Sequence, residues 1–268
     1  MVEVLDLEQI RQCLDRDCEL VVFEKTDSTN EQALSNVKQG ATLPLACFAE
    51  EQTQGRGRRG KVWLSPPGGS IYLSLAWRFD SPVSELGSLS LAMGVAIARV
   101  LNHIGLQRVG LKWPNDVLVD DGKIAGILIE TAQLTTKTTT AIVGIGLNFQ
   151  LPEDMPVKPD QPWTDVVSCL SGSSLEIARS ELAGLLLQEC MAVCESFMQA
   201  RDDLMAEYRQ YDICMQQPVN IHQEEGRVLQ GVVVGFEVGG EIRILIDGEQ
   251  CLFNSADISL RKTSNVNN

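Results

Sequence analysis

The sequence predicts an α+β fold in which helices pack on a mixed β-sheet, followed by a small β-structured domain at the C-terminus. Three stretches carry this prediction. Ser70–Phe79 alternates as a strand should, with Ile71, Leu73 and Leu75 on one face. Ser84–His103 is long and rich in alanine, leucine and valine, which indicates a helix. After Pro218 the chain changes to short β runs separated by glycine turns, which indicates an independent small barrel.

The 268 residues suit one large and one small domain, expected at 1–212 and 213–268. A short amphipathic helix is expected at 5–16. Ser28-Thr29-Asn30-Glu31 has the spacing of a capping box and predicts a helix that ends at Gly40. Further strands are expected at Glu19–Lys25, Leu45–Glu50, Val109–Lys112, Val117–Val119, Ile124–Leu134 and Thr138–Phe149, the last four as consecutive antiparallel neighbours.

The second half of the first domain combines a loop and a helix. Residues 150–165 contain four prolines and little periodicity, which predicts a long loop that becomes ordered when a ligand binds. One long amphipathic helix is expected at about 175–209.

Composition excludes several functions. The chain has 22 basic and 36 acidic residues, a net charge of −14, which disfavours a DNA-binding protein because phosphates attract basic surfaces. Two histidines leave little scope for a histidine-based triad. The eight cysteines contain no C-x-x-C pair and are expected to be buried free thiols. The N-terminus is unlike a signal peptide, and Leu89–Leu101 is too short to span a membrane, so a soluble cytoplasmic protein is expected.

Residues 52–61, QTQGRGRRGK, form the most informative segment. Arginine or lysine occupies four of the six positions 56–61, and glycines at 55, 57 and 60 let the backbone approach an anion closely. Because guanidinium groups bind phosphate and carboxylate oxygens in pairs, the segment favours a phosphate-binding loop. An RGG-type RNA segment and a solvated charged loop are the alternatives.

Two further segments place polar residues at strand ends. In KWPND, residues 112–116, Lys112, Asn115 and Asp116 could hold phosphate, adenine and Mg²⁺, although polar residues beside proline also mark ordinary turns. In DGKIAGILIE, residues 121–130, Lys123 could stabilise a carboxylate and a phosphate, while Gly126 indicates close approach of a ligand. A plain turn lysine is the alternative there.

The segment VGIGLN, residues 143–148, alternates glycine with apolar residues. One strand face is therefore free of side chains and could accept a flat, apolar ligand, with Asn148 as a polar anchor at its end. A β-bulge or tight packing explains the same glycines.

Taken in order, STN, GRGRRG, KWPND, GKIAGILIE and VGIGLN resemble the catalytic domain of biotin–protein ligases. The match covers residues 19–149 and continues to the end, where Ile258–Arg261 is similar to the end of the family's SH3-like domain. The resemblance implies a class II synthetase-like catalytic domain followed by an SH3-like barrel. Longer bacterial members carry an N-terminal winged helix. Only the helix at 5–16 is expected before the catalytic domain here, so a monofunctional form is predicted.

The resemblance also implies a two-step reaction and the residues for it. Biotin and ATP would give biotinoyl-5′-AMP and pyrophosphate, and a lysine of a carrier domain would then take the biotin. The implied catalytic residues are Lys123, Arg56 and Arg58. Those implied to bind biotin are Ser28, Thr29, Asn30, Gln52, Gly55, Arg56, Gly57, Arg58, Lys123, Gly126, Gly144 and Gly146. Those implied to bind ATP are Arg56, Gly57, Arg58, Arg59, Trp63, Lys112, Asn115, Asp116, Asn148, Trp163 and Arg261.

Substrates and partners follow from the same resemblance. Biotin and ATP are expected as substrates, with Mg²⁺ bound by the ATP and Asp116, and no tightly bound prosthetic group is expected. The expected partner is the biotin carboxyl carrier protein of acetyl-CoA carboxylase, with no DNA and no membrane. A homodimer is possible through a sheet edge at Ile71–Trp77 or Thr138–Val143. The alternatives are a lipoate–protein ligase, a biotin-responsive transcriptional repressor and a catalytically silent SH3-like binding module.

Overall fold

The computed structural model describes residues 4–132, 135–152, 161–171, 174–223 and 227–262, so residues 153–160, half of the predicted 150–165 loop, lie outside it. The α-helices are α1 Leu7–Gln12, α2 Thr29–Lys38, α3 Leu89–His103, α4 Val166–Leu170, α5 Arg179–Ser196 and α6 Arg201–Tyr211. The strands are β1 Glu19–Thr26, β2 Leu45–Gln52, β3 Ser70–Phe79, β4 Val109–Lys112, β5 Asp116–Val119, β6 Gly122–Ala132, β7 Thr139–Asn148, β8 Pro218–Gln223, β9 Val228–Phe236, β10 Ile242–Ile246, β11 Glu249–Phe253 and β12 Ile258–Lys262.

The first seven strands form the mixed sheet that the sequence predicts. Their order is β1-β2-β3-β7-β6-β5-β4, with β1 and β2 parallel and the other neighbours antiparallel. The strand predicted at Ser70–Phe79 is confirmed as β3, which is central in the sheet and has its first seven residues buried. The helix α2 covers one face of the sheet, and α3 and α5 cover the other. The two predicted dimer edges are also wrong as edges, because β3 and β7 pair on both sides and the sheet ends at β1 and β4.

Two predicted helices are broken where the chain makes other contacts. The stretch expected at Ser84–His103 begins with a 3₁₀ turn, Val83–Leu86, and α3 starts only at Leu89. Between them lies Gly87, where a β-carbon would overlap the carbonyl oxygen of Gly239. The single helix expected at 175–209 is two helices, α5 and α6, separated by residues 197–200. Tertiary packing therefore overrides the helical pattern at both places.

Other boundaries shift less. The helix expected at 5–16 is confined to α1, which begins after Asp6, whose carboxylate accepts the backbone N–H groups of Glu8 and Gln9. The helix opened by Ser28 ends at Lys38, close to the expected Gly40. Five of the eight cysteines are buried as expected, whereas Cys13, Cys169 and Cys251 are only half-buried.

The C-terminal residues form a five-stranded antiparallel sheet of order β11-β10-β9-β8-β12. Within the described residues this sheet does not close into the predicted barrel, since β11 and β12 remain its edges. The apolar residues of this sheet belong to the same core as those of α3 and α5. Tyr208 of α6 packs edge-on against Phe236 of β9, with ring centroids 5.0 Å apart. The indole N–H of Trp113 donates to the Gly240 carbonyl at 2.9 Å.

Candidate active site

A cleft of about 790 Å³ lies between the mixed sheet and the C-terminal sheet. All the candidate residues named from the sequence line it except Gly55. Gly55 is buried beside the cleft, where a β-carbon would lie 2.6 Å from the hydroxyl of Ser65 and would overlap the Trp63 carbonyl. Gly55 therefore serves the close packing of the loop on itself and not a direct contact with a ligand.

One end of the cleft has a floor of neutral polar groups. The Thr29 backbone N–H and hydroxyl both donate to Gln52 Oε1, at 2.8 and 3.1 Å, and Gln52 Nε2 donates to the Ser65 hydroxyl at 3.0 Å. The capping box expected here is not formed. Ser28 makes no side-chain cap with the described helix, and its N–H donates to Asp27 Oδ1. The Ser28 hydroxyl is consequently left to face the cleft.

Asn30, in the first turn of α2, completes this floor with a side chain that reaches the sheet. Its Nδ2 donates to Glu130 Oε2 at 2.8 Å, and the Ser74 hydroxyl lies 2.5 Å from its Oδ1. A β-carbon at Gly144, opposite Ser74 in the register of β3 and β7, would overlap this amide. Glycine at 144 is therefore required for Asn30 to lie across the sheet.

Arg56 is held at the mouth of the floor by two carboxylates. Its guanidinium lies 2.8 Å from Glu31 Oε1 and 2.8 Å from Glu130 Oε2. The side chain is 37% exposed, so the pairing is strongly screened and a ligand anion can replace it. Neither carboxylate is among the site residues predicted from the sequence.

The phosphate-binding loop meets the C-terminal sheet. Arg58 donates to Asn115 Oδ1 at 3.3 Å and to the carbonyl of Ser255, and Arg59 donates to the carbonyl of Ala256 at 2.6 Å. Arg59 has a φ of 55°, a left-handed conformation that a non-glycine residue adopts only when its surroundings hold it. Burial, together with neighbouring Arg59, lowers the pKa of Arg58, which nevertheless remains charged.

Lys123 lies where the two ends of the cleft meet. Its Nζ is 2.6 Å from Asp116 Oδ1 and 5.1 Å from the centroid of the Trp63 ring. The indole covers the glycine face of β6 and β7: a β-carbon at Gly126 would lie 2.8 Å from it, and one at Gly146 would overlap it. At Gly126 and Gly146 the close neighbour is therefore the Trp63 side chain, which favours the tight-packing alternative for these glycines, and their contact with a ligand stays a prediction.

The segment around Trp163 pairs with the start of β6. The Lys123 N–H donates to the Pro162 carbonyl at 2.9 Å, and the Thr164 N–H donates to the Lys123 carbonyl at 3.0 Å. Asn148 Nδ2 donates to the carbonyls of Thr164 and Lys123, at 3.0 and 3.3 Å. Asn148 lines the cleft as expected, and its amide also holds the segment around Trp163 beside Lys123 through these hydrogen bonds.

Arg261 lies at the opposite wall of the cleft, with Ile258, Ser259 and Leu260.

Among the residues that the structure describes, no group of three His, Cys, Asp or Glu side chains could hold a metal ion. Asp116 is paired with Lys123, and any Mg²⁺ here would need phosphate oxygens to complete its coordination.

Sequence reasoning missed four polar side chains of this site: Glu31, Ser65, Ser74 and Glu130. Glu130 closes the GKIAGILIE segment, and Ser74 faces Gly144 once the strand register is known. A polar residue in an otherwise apolar strand, opposite a glycine, is the signal that could have indicated Ser74.

Comparison with known proteins decides the family. The model of the biotin/lipoate A/B protein ligase family matches residues 22–148. The biotin–[acetyl-CoA-carboxylase] ligase of Mycobacterium tuberculosis shares 33% identity over 246 residues, covering 90% of this chain and 88% of that protein. The chain belongs to the biotin/lipoate A/B protein ligase family. Another member, the bifunctional ligase/repressor BirA of Escherichia coli, is 32% identical over 97% of this chain and 79% of its own length.

Solved structures of the family agree with the fold. The biotin protein ligase from Aquifex aeolicus in complex with biotin and ATP superposes with a TM-score of 0.75 and 25% identity, covering 91% of this chain and 99% of that one. The family's mixed sheet with packed helices is thus the fold of this chain.

Proposed function

We propose that this chain is an ATP-dependent biotin–protein ligase. It joins biotin to ATP, giving biotinoyl-5′-AMP and pyrophosphate, and transfers the biotin to a lysine of a biotin carboxyl carrier protein. The observation that carries the proposal is a single cleft with a neutral polar floor at one end and a cationic loop at the other. A relative named as a biotin–[acetyl-CoA-carboxylase] ligase and a solved ligase that binds biotin and ATP support it.

The first step needs no nucleophilic side chain. A carboxylate oxygen of biotin attacks the α-phosphorus of ATP, a new O–P bond forms, and the bond to the β-phosphate oxygen breaks as pyrophosphate leaves. Two anions must approach each other, so catalysis consists of orientation and charge neutralisation. Lys123, where the ends of the cleft meet, is assigned to the biotin carboxylate and the α-phosphate, and Arg56 is assigned to the carboxylate.

In the second step the amine of the acceptor lysine attacks the acyl carbon of biotinoyl-5′-AMP. An amide bond forms, the acyl–phosphate bond breaks, and AMP leaves while the amine loses a proton. Until the carrier arrives, the mixed anhydride must be retained. Arg58 is assigned to that task, because its guanidinium already bridges Asn115 and the C-terminal sheet.

The floor is suited to the ureido ring of biotin, a planar group with two N–H donors and one carbonyl acceptor. Ser28, Thr29, Asn30 and Gln52 supply neutral donors and acceptors, and a neutral partner requires no charge to be desolvated. The Trp63 indole covers the faces of Gly126 and Gly146, so the apolar part of the substrate would pack against the indole and not against these glycines.

Mg²⁺ would enter with ATP. Asp116 offers one carboxylate, and one carboxylate with several phosphate oxygens is a usual Mg²⁺ environment. The ion would neutralise phosphate charge. Adenine and ribose are assigned to Lys112, Asn115, Trp163 and Arg261 at the far wall.

The proposed setting is the cytoplasm, with the carrier protein of acetyl-CoA carboxylase as acceptor and no binding to DNA. The net charge of −14 supports the last point. The boundary at 212/213, an SH3-like closure of the C-terminal sheet and a homodimer also remain proposals. For the homodimer, β1 and β4 are the available sheet edges.

Isotope exchange between pyrophosphate and ATP tests the function. We expect exchange that depends on biotin, followed by a mass increase on a carrier domain only when biotin and ATP are both supplied. Exchange that depends on lipoate and is absent with biotin would show a lipoate ligase instead.

A further inference from the structure

The polar floor contains one side chain that touches two residues of the site at once. Glu130 Oε2 accepts from Asn30 Nδ2 and from Arg56 Nη2, each at 2.8 Å. Asn30 is buried, whereas the Glu130 side chain is 31% exposed. Asn30 and Arg56 line the cleft and Glu130 is not among its lining residues, so the carboxylate acts on the ligand space through these two side chains.

This arrangement decides which way the Asn30 amide faces. An ionised carboxylate only accepts hydrogen bonds, so the NH₂ group of Asn30 must face Glu130. The backbone carbonyl of Leu128, 3.4 Å from Nδ2, is an acceptor too and favours the same orientation. Oδ1 is consequently turned toward Ser74 and the bare face of Gly144.

The Ser74 hydroxyl cannot impose this orientation alone. It lies 2.7 Å from the Thr29 hydroxyl oxygen and 2.5 Å from Asn30 Oδ1, but it has one proton for the two acceptors. Since a hydroxyl both donates and accepts, it would tolerate either face of the amide. Glu130 only accepts hydrogen bonds, so it is the group that favours one orientation of the Asn30 amide.

We propose that Glu130 is a positioning residue for the head group of biotin: by accepting from Asn30 Nδ2, it makes Asn30 present an oxygen to a ureido N–H. This inference rests on the proposed function and adds a specificity element to it. Without Glu130 the amide can turn and present its own N–H groups, which would oppose the N–H groups of the ureido ring. The predicted consequence is a loss of affinity for the head group and not for ATP.

Binding measurements on E130A, E130Q and N30A test this, with the exposed strand residue Glu24 changed to glutamine as the matched control. We expect E130A to weaken biotin about tenfold or more, the effect of a misplaced hydrogen-bond partner, and to leave the KM for ATP within about twofold. E130Q keeps the shape and one acceptor oxygen, so it should weaken biotin less than E130A does. E24Q should match the unmodified enzyme.

Two comparisons separate a positioning role from other roles. Biotin amide lacks the carboxylate that Arg56 is assigned to, so E130A should weaken biotin and biotin amide equally if it acts through Asn30. In a double-mutant cycle, E130A should lower the affinity for biotin little further once Asn30 is alanine. Additive losses, a loss confined to biotin with its carboxylate, or E130A and E130Q both behaving like E24Q would overturn the assignment. Absence of biotin-dependent exchange in the unmodified enzyme would overturn the proposed function instead.

Discussion

The two ends of the cleft are built in different ways. The floor around Ser28–Asn30 comes from one helix and the central strands, is buried, and has hydrogen bonds that run between side chains of the first domain. The loop at 56–61 is largely exposed and is held by carbonyl groups of Ser255 and Ala256, in the connection between β11 and β12. The acyl end is thus formed by α2 and the mixed sheet, while the nucleotide end also depends on contacts with the C-terminal region.

The change expected to have the largest effect is Lys123→Ala, because Lys123 serves both ends. Removing a charge that stabilises the reacting groups should lower biotin-dependent pyrophosphate exchange by roughly 100- to 1000-fold. It should also release Asp116 from its 2.6 Å ion pair. Steady-state exchange rates measure the effect, with Lys38→Ala at the end of α2 as a control. Near-normal exchange would remove Lys123 from the mechanism.

Gly144→Ala should damage the acyl end alone. The added methyl group would overlap the Asn30 amide, and overpacking of this kind costs about 1–3 kcal/mol, or roughly 5- to 150-fold in biotin affinity. Gly94→Ala is a matched control, since its methyl group would make ordinary contact with Leu111 at 3.4 Å. Calorimetric titration with biotin and with ATP should show a loss for biotin only. Equal losses for both ligands would contradict the separation of the two ends.

Arg58→Gly should damage the nucleotide end without abolishing chemistry. Losing a charged hydrogen-bond donor should weaken binding of biotinoyl-5′-AMP by about 1.5 kcal/mol or more, so its release should accelerate about tenfold or more. Released adenylate would acylate lysines of bystander proteins, which mass spectrometry of a mixture with an unrelated protein can detect. Labelling restricted to the carrier domain would show that Arg58 does not retain the intermediate.

Gly87→Ala tests whether the C-terminal sheet supports the nucleotide end from a distance. The methyl group would overlap the carbonyl of Gly239, far along the chain, and so would push the β9–β10 turn away from α3. We expect a loss of about 1–2 kcal/mol in the free energy of unfolding and a rise in the KM for ATP. The KM for biotin should not change. Gly94→Ala again provides the control, and parallel rises in both KM values would argue against a two-domain nucleotide site.

The same contrast explains what sequence alone could predict. The strands, the glycine faces and the cationic loop follow from local patterns, because alternation and residue type are local properties. The break at Gly87 could not be predicted, since it depends on Gly239, and neither could the separation of α5 from α6. Within the site, the segment around Lys123 also fits a plain turn lysine, and it was the family resemblance that implied a role for this side chain. The pairings of Glu130 and Ser74 were not, because they depend on strand register across β3, β6 and β7.

The smallest expected effect is on stability at the junction of the domains. Asp212 follows α6 beside β4 and is half-buried; burial raises the pKa of its carboxyl group, although the Cys214 and Met215 backbone N–H groups partly oppose this. A group whose pKa is raised by folding contributes stability below its unfolded value, near 3.8, and loses it as pH rises through the folded value. Asp212→Asn removes the charge but keeps an acceptor for the Cys214 N–H, at 2.8 Å in the native protein. Urea unfolding above pH 4 should therefore show the variant gaining stability relative to the native protein as pH rises, whereas exposed Asp17→Asn should not. Parallel pH profiles for native protein and Asp212→Asn would mean that burying this carboxylate does not weaken the junction on which the nucleotide end depends.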